Sequence, residues 1–278
     1  MNPNGRLIMP AFAANLSTMF TEWDFLDRFT AAADHGFEAV EFQFPYERRP
    51  DEIRAKLDAS RLTLALFNAP PGDFAAGDRG LAALPGRFDE FRASIAEAKI
   101  YAEHTGAKAV HVMAGLAPAG DPQARAAYID ALRFALDRLD ATPVTIEPLN
   151  RRDMPGYFLN DYAAAAGIIA EIGAPNLKLQ FDIYHRQILH GDVLTGLAEL
   201  LPLIGHVQIA SVPARAEPGT GELNDEAVLA RLDALGCGGY VGCEYRPARG
   251  TIAGLGWLSE WRRREGAPVL KSTWRERL

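Results

Sequence analysis

Short apolar runs alternate with longer alanine-rich segments along this chain, and four of the longer segments stop at a glycine just before the next run. His35-Gly36, Thr105-Gly106, Ile172-Gly173 and Leu235-Gly236 place glycine where a left-handed residue closes a helix and turns the chain into a strand. This repeated junction is the pattern of βα units rather than of an all-α or all-β fold. The predicted strands are Met9 to Ala13, Ala39 to Phe42, Thr63 to Phe67, Ala109 to Met113, Val144 to Glu147, Lys178 to Phe181, His206 to Ile209 and Tyr240 to Glu244. Helical spacing of apolar residues covers Phe25 to His35, Phe88 to Thr105, Ala124 to Leu139, Asp161 to Ile172 and Asp225 to Leu235. Eight units suit a closed barrel. An open doubly wound sheet brings a glycine-rich dinucleotide turn after its first strand, yet neither GxGxxG nor GxxxxGK[ST] occurs. The expectation is an α/β fold, a single (β/α)8 TIM barrel with residues 1–278 as one domain and no nucleotide cofactor.

Composition enters by exclusion. No apolar stretch is long enough to span a bilayer, and the first residues lack the basic segment and apolar core of a secretory signal, so a cytoplasmic location and no membrane partner are expected. The net charge of -7 argues against a nucleic-acid partner. Arg262, Arg263 and Arg264 are read as a solvated helix face. Cys237 and Cys243 are too few for a soft zinc site and are read as reduced thiols. Trp257, Trp261 and Trp274 near the C-terminus pack on the barrel or on a neighbouring subunit, which leaves a homo-oligomer open.

Active sites of such barrels sit at the C-terminal strand ends. Here those ends are polar: Asn15, Glu41, Asn68, His111, Glu147, Asp182, Gln208 and Glu244. Asn15 could satisfy a turn, and His111 in VHVMAG is either a substrate contact or a hydrogen-bonded barrel histidine. Three converging carboxylates, Glu147, Asp182 and Glu244, repel one another unless protons or a cation compensate them. With the neutral oxygen of Gln208 they describe a site for a hard divalent cation, Mg²⁺ or Mn²⁺. Such an ion polarises the carbonyl of a hydroxy-carbonyl compound, and Glu147 and Glu244 could then move a proton between adjacent carbons through a cis-enediolate. His185 could bond a substrate oxygen or orient a ligand. Arg215 offers a fork for a substrate carboxylate with Glu217 holding it, or the two form a plain surface pair. Two long segments, Asn68 to Arg87 and Asn150 to Phe158, follow the third and fifth strands and should wall the same face.

In FAANLSTMFTE, LALFNAPPGDFAAGDRGLAALPGR, VHVMAGL, EPLNRRDMPGYFL, FDIYHRQILHGD, GHVQIASVPARAEPGTGELN and GCEYRP followed by GLGW, the chain resembles the hydroxypyruvate isomerase family of xylose isomerase-like TIM barrels. These stretches run from about Phe12 to Trp257. The resemblance implies isomerisation of hydroxypyruvate to 2-hydroxy-3-oxopropanoate (tartronate semialdehyde), with Glu147 and Glu244 as the acid/base pair. It also implies metal binding by Glu147, Asp182, Gln208 and Glu244, and His185 and Arg215 near a small sugar-acid substrate. Asn68, His111 and Glu217 complete the expected substrate contacts. The motifs also look like those of the sister group acting on four-carbon 2-oxo-tetronates. Gln208 stands where sugar 3-epimerase relatives carry histidine, which disfavours that branch. A remoter alternative is a metal-dependent hydrolase of the endonuclease branch, which uses many histidines.

Overall fold

The computed structural model describes residues 11–264, which form a closed barrel of eight parallel strands in sequence order. The strands are β1 (Ala11–Asn15), β2 (Ala39–Phe42), β3 (Thr63–Asn68), β4 (Val110–His111), β5 (Val144–Ile146), β6 (Leu177–Asp182), β7 (Ile204–Gln208) and β8 (Tyr240–Cys243). Around them lie α1 (Arg28–Asp34), α2 (Pro50–Ser60), α3 (Phe88–Thr105), α4 (Pro122–Leu139), α5 (Tyr162–Ile172), α6 (Ile183–Leu189), α7 (Val193–Leu200), α8 (Asp225–Ala234), α9 (Thr251–Gly254) and α10 (Gly256–Arg264). No helix among the described residues is long and apolar enough to cross a membrane.

The predicted helix stops are real. Gly106 and Gly173 cap α3 and α5 in the left-handed region, at φ 70° and 67°, where a Cβ would be strained. At the other end of α5, the Asp161 carboxylate accepts the backbone N–H of Ala164 at 2.7 Å. The strands are buried on both faces, with Phe67 and Phe181 fully enclosed, and each such side chain contributes about 1.5–3 kcal/mol.

The differences from the sequence reading are local. The first strand is shifted to Ala11–Asn15, and Met9 and Pro10 lie outside the described residues. β4 is only two residues long because the chain after His111 leaves the barrel, and Ala114 bridges to Gly80 of the long segment after β3. Trp257 packs edge-on against Phe12 at 5.1 Å, while Trp274 lies outside the described residues. Arg262 is turned inward rather than solvated, donating to the carbonyls of His35 and Gly36 at the end of α1. Arg264 has no described side chain.

Strand register sets the level of the polar ends. Asn15 pairs with Glu41, Asn68 with His111, His111 with Thr145, and Asp182 with Gln208. Glu147 is two residues beyond Thr145, and Glu244 is two beyond Gly242, the partner of Gln208. All the oxygens expected from sequence therefore reach one end of the barrel.

Candidate active site

A cavity of about 100 Å³ opens at that end, lined by Glu147, Glu244, Gln208, His185, Arg215, Asn68 and His111, with Asn15, Gln43, Asp153 and Gln180. Its remaining wall is apolar: Phe42, Phe44, Leu66, Met113, Leu149 and Met154, with Phe74 reaching in from the segment after β3. Phe74 packs on Phe44 at 5.4 Å under the Arg79 guanidinium, which lies 3.9 Å from its ring. An Arg87–Asp78 ion pair at 2.6 Å ties the same segment to itself. The volume is far below the roughly 300–1,000 Å³ of drug-sized sites and suits a molecule of few atoms.

The carboxylates are held in three different ways. Asp182 is the N-cap of α6: its Oδ1 accepts the N–H groups of Tyr184 and His185 at 2.7 and 3.3 Å, which turns Oδ2 toward Arg215 Nη2 at 3.3 Å. Glu244 accepts from Gln43 Nε2 at 2.9 Å and from Arg215 Nη2 at 2.8 Å. Glu147 is buried, its Oε1 has no hydrogen-bond partner, and its Oε2 lies 3.7 Å from His111 Nδ1. Both nitrogens of His111 are likewise buried without partners.

Burial pushes the Glu147 carboxyl well above its ordinary range, and the charges of Asp182 and Glu244 add to the rise. Asp182 and Glu244 are also raised by burial, but the Arg215 guanidinium opposes it. Burial works against the charge of Arg215, yet Glu244, Asp182 and Glu147 together outweigh it and the guanidinium is held more firmly protonated. Burial, with His206 and His185 nearby, brings His111 down to about 3, so its ring is neutral. His185 is lowered by burial and by Arg215.

Arg215 therefore supplies part of the charge compensation that the sequence suggested for a cation. One guanidinium nitrogen reaches two carboxylates. Its backbone is left-handed, at φ 52°, an uncommon conformation for a non-glycine residue that recurs at functional sites. The ring of Tyr184 lies 4.8 Å from the guanidinium. Glu217 does not hold this arginine. It is buried outside the cavity lining, where its Oε1 accepts the N–H of Ala248 at 3.0 Å and ties the loop after β7 to the chain after β8. Asn68 remains in the lining, its backbone oxygen accepting from Tyr46 at 2.7 Å.

The donor set fits a cation. Ligand atoms of Glu147 and Asp182 lie within 4.8 Å of one another, with a His185 ring nitrogen equally near them, and the two carboxylates supply the hard oxygens, the unpartnered Oε1 of Glu147 being an acceptor without a donor. Gln208 is more committed than expected. Its Oε1 accepts from Gln180 Nε2 at 2.7 Å, and its Nε2 donates to Glu41 Oε1 at 2.7 Å. Sequence reasoning did not single out Gln43, Asp153, Gln180 or Asn150 as site residues: Gln180 lies inside a predicted run, Asn150 and Asp153 lie in a loop, and Gln43 directly follows a run whose polar end was assigned to Glu41.

The model of the xylose isomerase-like TIM barrel family matches residues 29–261. The 2-oxo-tetronate isomerase of Cupriavidus necator is 56% identical, covering 91% of this chain and 99% of its own length. The hydroxypyruvate isomerase of Escherichia coli is 42% identical, covering 91% and 100%. Among solved structures, an AP endonuclease, family 2, from Brucella melitensis superposes with a TM-score of 0.89 at 44% identity, covering 91% of this chain and 99% of that one.

Proposed function

The chain belongs to the xylose isomerase-like TIM barrel family, and from that premise we propose that it is an isomerase of a small 2-oxo-3-hydroxy acid, with Glu147 and Glu244 as the proton-transferring pair. One observation carries the reading: a buried carboxyl with an unpartnered oxygen, Glu147, shares a small polar cavity with a second carboxylate three strands around the barrel. An acid whose affinity for protons is raised by burial is poised to take a proton from carbon and return it to the neighbouring carbon.

Each side chain then has a role. Glu147 or Glu244 removes the proton from the hydroxyl-bearing carbon beside the carbonyl, the electron pair of that C–H bond forms the enediolate double bond, the hydroxyl proton passes to the former carbonyl oxygen, and the other glutamate protonates the former carbonyl carbon. Arg215, the guanidinium in the lining, takes the substrate carboxylate by exchanging one of its two carboxylate contacts. His185 and His111 supply neutral ring nitrogens for the substrate oxygens. Phe44, Phe74 and Met154 keep water from the enediolate. A divalent ion, Mg²⁺ or Mn²⁺, held by Glu147, Asp182, Gln208 and Glu244 would polarise the substrate carbonyl as a Lewis acid.

Two substrates fit this class. Hydroxypyruvate, giving 2-hydroxy-3-oxopropanoate, is the three-carbon reading, supported by the Escherichia coli relative. The 56% identity to the Cupriavidus necator enzyme supports the four-carbon 2-oxo-tetronate. Among the described residues a single His/Cys/Asp/Glu group of this kind forms, with one histidine in it, which favours isomerisation over a many-histidine hydrolase. Turnover on hydroxypyruvate and on 2-oxo-tetronate, each with and without chelator, tests the proposal. Conversion of one acid with exchange of its enolisable hydrogen is expected. Neither conversion nor exchange with both acids tried overturns it.

A further inference from the structure

Asn150, at the start of the segment after β5, is fully buried and has a committed amide. Its Oδ1 accepts the backbone N–H groups of Arg152 and Asp153 at 3.0 and 2.9 Å. Two N–H donors on that atom leave the amide only one orientation, with Nδ2 facing the other way. There Nδ2 donates to Asp153 Oδ2 at 3.2 Å and to His185 Nδ1 at 2.8 Å. The backbone N–H of Asn150 donates to the same Nδ1 at 3.0 Å. Two donors thus converge on one ring nitrogen, which must present its lone pair to them.

A neutral imidazole with a bare Nδ1 carries its proton on Nε2. That nitrogen lies 3.6 Å from Asp182 Oδ2 and 4.0 Å from Glu147 Oε1, beyond a good hydrogen bond to either, in a ring that lines the cavity. We propose that Asn150 is a positioning residue that holds His185 in the tautomer with its proton on Nε2, so that the ring donates to the substrate's carbonyl oxygen and stabilises the charge that develops there. His111 is the contrast: neither of its nitrogens has a hydrogen-bond partner, so no hydrogen bond fixes its tautomer. The tautomer of His185 follows from the hydrogen bonds alone, whereas its service to a carbonyl oxygen rests on the isomerase reading. A second consequence concerns cations. A nitrogen that carries a proton has no lone pair for a metal, so Asn150 keeps His185 a donor and leaves the ion to the oxygen ligands.

The test is nitrogen NMR of protein labelled at its histidines, with the His185 signals assigned by their loss in His185→Gln. The expected wild-type spectrum has a bare Nδ1 and a protonated Nε2 for His185. Asn150→Asp, which keeps the acceptor for the two backbone N–H groups but replaces the amide donor by a carboxylate oxygen, opposes the backbone N–H that still points at Nδ1 and should raise the share of rings protonated on Nδ1. Asn150→Ala, which keeps the backbone N–H on Nδ1 but removes the amide donor, should weaken the preference for the tautomer protonated on Nε2 and lower kcat about 10- to 100-fold with a smaller change in KM. In a His185→Ala background the Asn150→Ala change should cost nothing further, because its effect runs through the ring. A wild-type His185 protonated on Nδ1 overturns the proposal, as does an Asn150→Ala loss that persists undiminished without the imidazole. If the wild-type protein isomerises neither acid, the isomerase reading falls, and the spectra still decide the role of Asn150.

Discussion

Two groups of buried polar side chains border the same cavity, and they differ in how completely their hydrogen bonds are made. In the first, Glu41 accepts from Asn15 Nδ2 at 2.9 Å and Gln208 Nε2 at 2.7 Å on one oxygen, and lies 2.6 Å from His206 Nε2 with the other. The chain continues through Gln208 and Gln180 to the hydroxyl of Thr145, which donates to Gln180 Oε1 at 3.1 Å. Because a carboxylate only accepts, Glu41 sets the direction of every amide in this chain. Room for it comes from Gly242, where a Cβ would stand 2.1 Å from Glu41 Oε2. In the second group, Glu147 Oε1 and both nitrogens of His111 have no partner at all. A satisfied buried carboxylate is scaffold, whereas an unsatisfied one in a cavity is waiting for substrate, cation or proton.

The largest expected effect falls on the unsatisfied group. Glu147→Gln and Glu244→Gln should each slow solvent exchange at the substrate's enolisable carbon by about 10²- to 10⁴-fold, read as deuterium uptake by NMR. Wild-type exchange in both variants would break the assignment of this group to chemistry. Next comes the satisfied group. Glu41→Ala leaves Asn15, Gln208 and His206 facing a buried gap and should cost about 3–5 kcal/mol in chemical denaturation. A cost near zero would mean that Glu41 is not the scaffold described.

A smaller effect should come from added metal. Mn²⁺ at about 100 times its Kd should stabilise the protein by about 2.7 kcal/mol, reversibly with chelator, and Asp182→Asn should reduce the gain. An unchanged melting temperature would sink the oxygen cation site. The smallest effect is a pH dependence of stability without metal. Burial raises the Glu147 carboxyl above its unfolded value, so its contribution is fully present below the ordinary carboxylate range and is lost as pH rises through the folded value. Glu147→Gln, which cannot ionise, should therefore melt higher than wild type at alkaline pH and show no advantage at acid pH. The opposite slope would contradict the unsatisfied state of this carboxyl.

Much of the site was legible because a strand places its chemistry at its end. Glu147, Asp182, Gln208 and Glu244 each close an apolar run, and barrel closure alone brings such ends together. Glu217 looked equivalent in sequence to a partner for Arg215, but a loop has no fixed register, and the chain after β8 captures it instead. Asn150 was hidden for a related reason: its importance lies in which way an amide points, and that depends on two N–H groups and a ring brought in by another element.

What the sequence determined by itself is the order of elements, through hydrophobic period and helix-closing glycines, and the identity of the oxygens at the strand ends. These are local properties, written in neighbouring residues. Only the tertiary structure decided which of those oxygens are spent. Asp182 gives one oxygen to a helix cap, Glu244 both to Gln43 and Arg215, Gln208 its amide to Gln180 and Glu41, and Glu147 keeps one oxygen without a partner. Hydrogen-bond satisfaction depends on distance and direction between residues far apart in the chain, and no pattern along a single sequence carries that information.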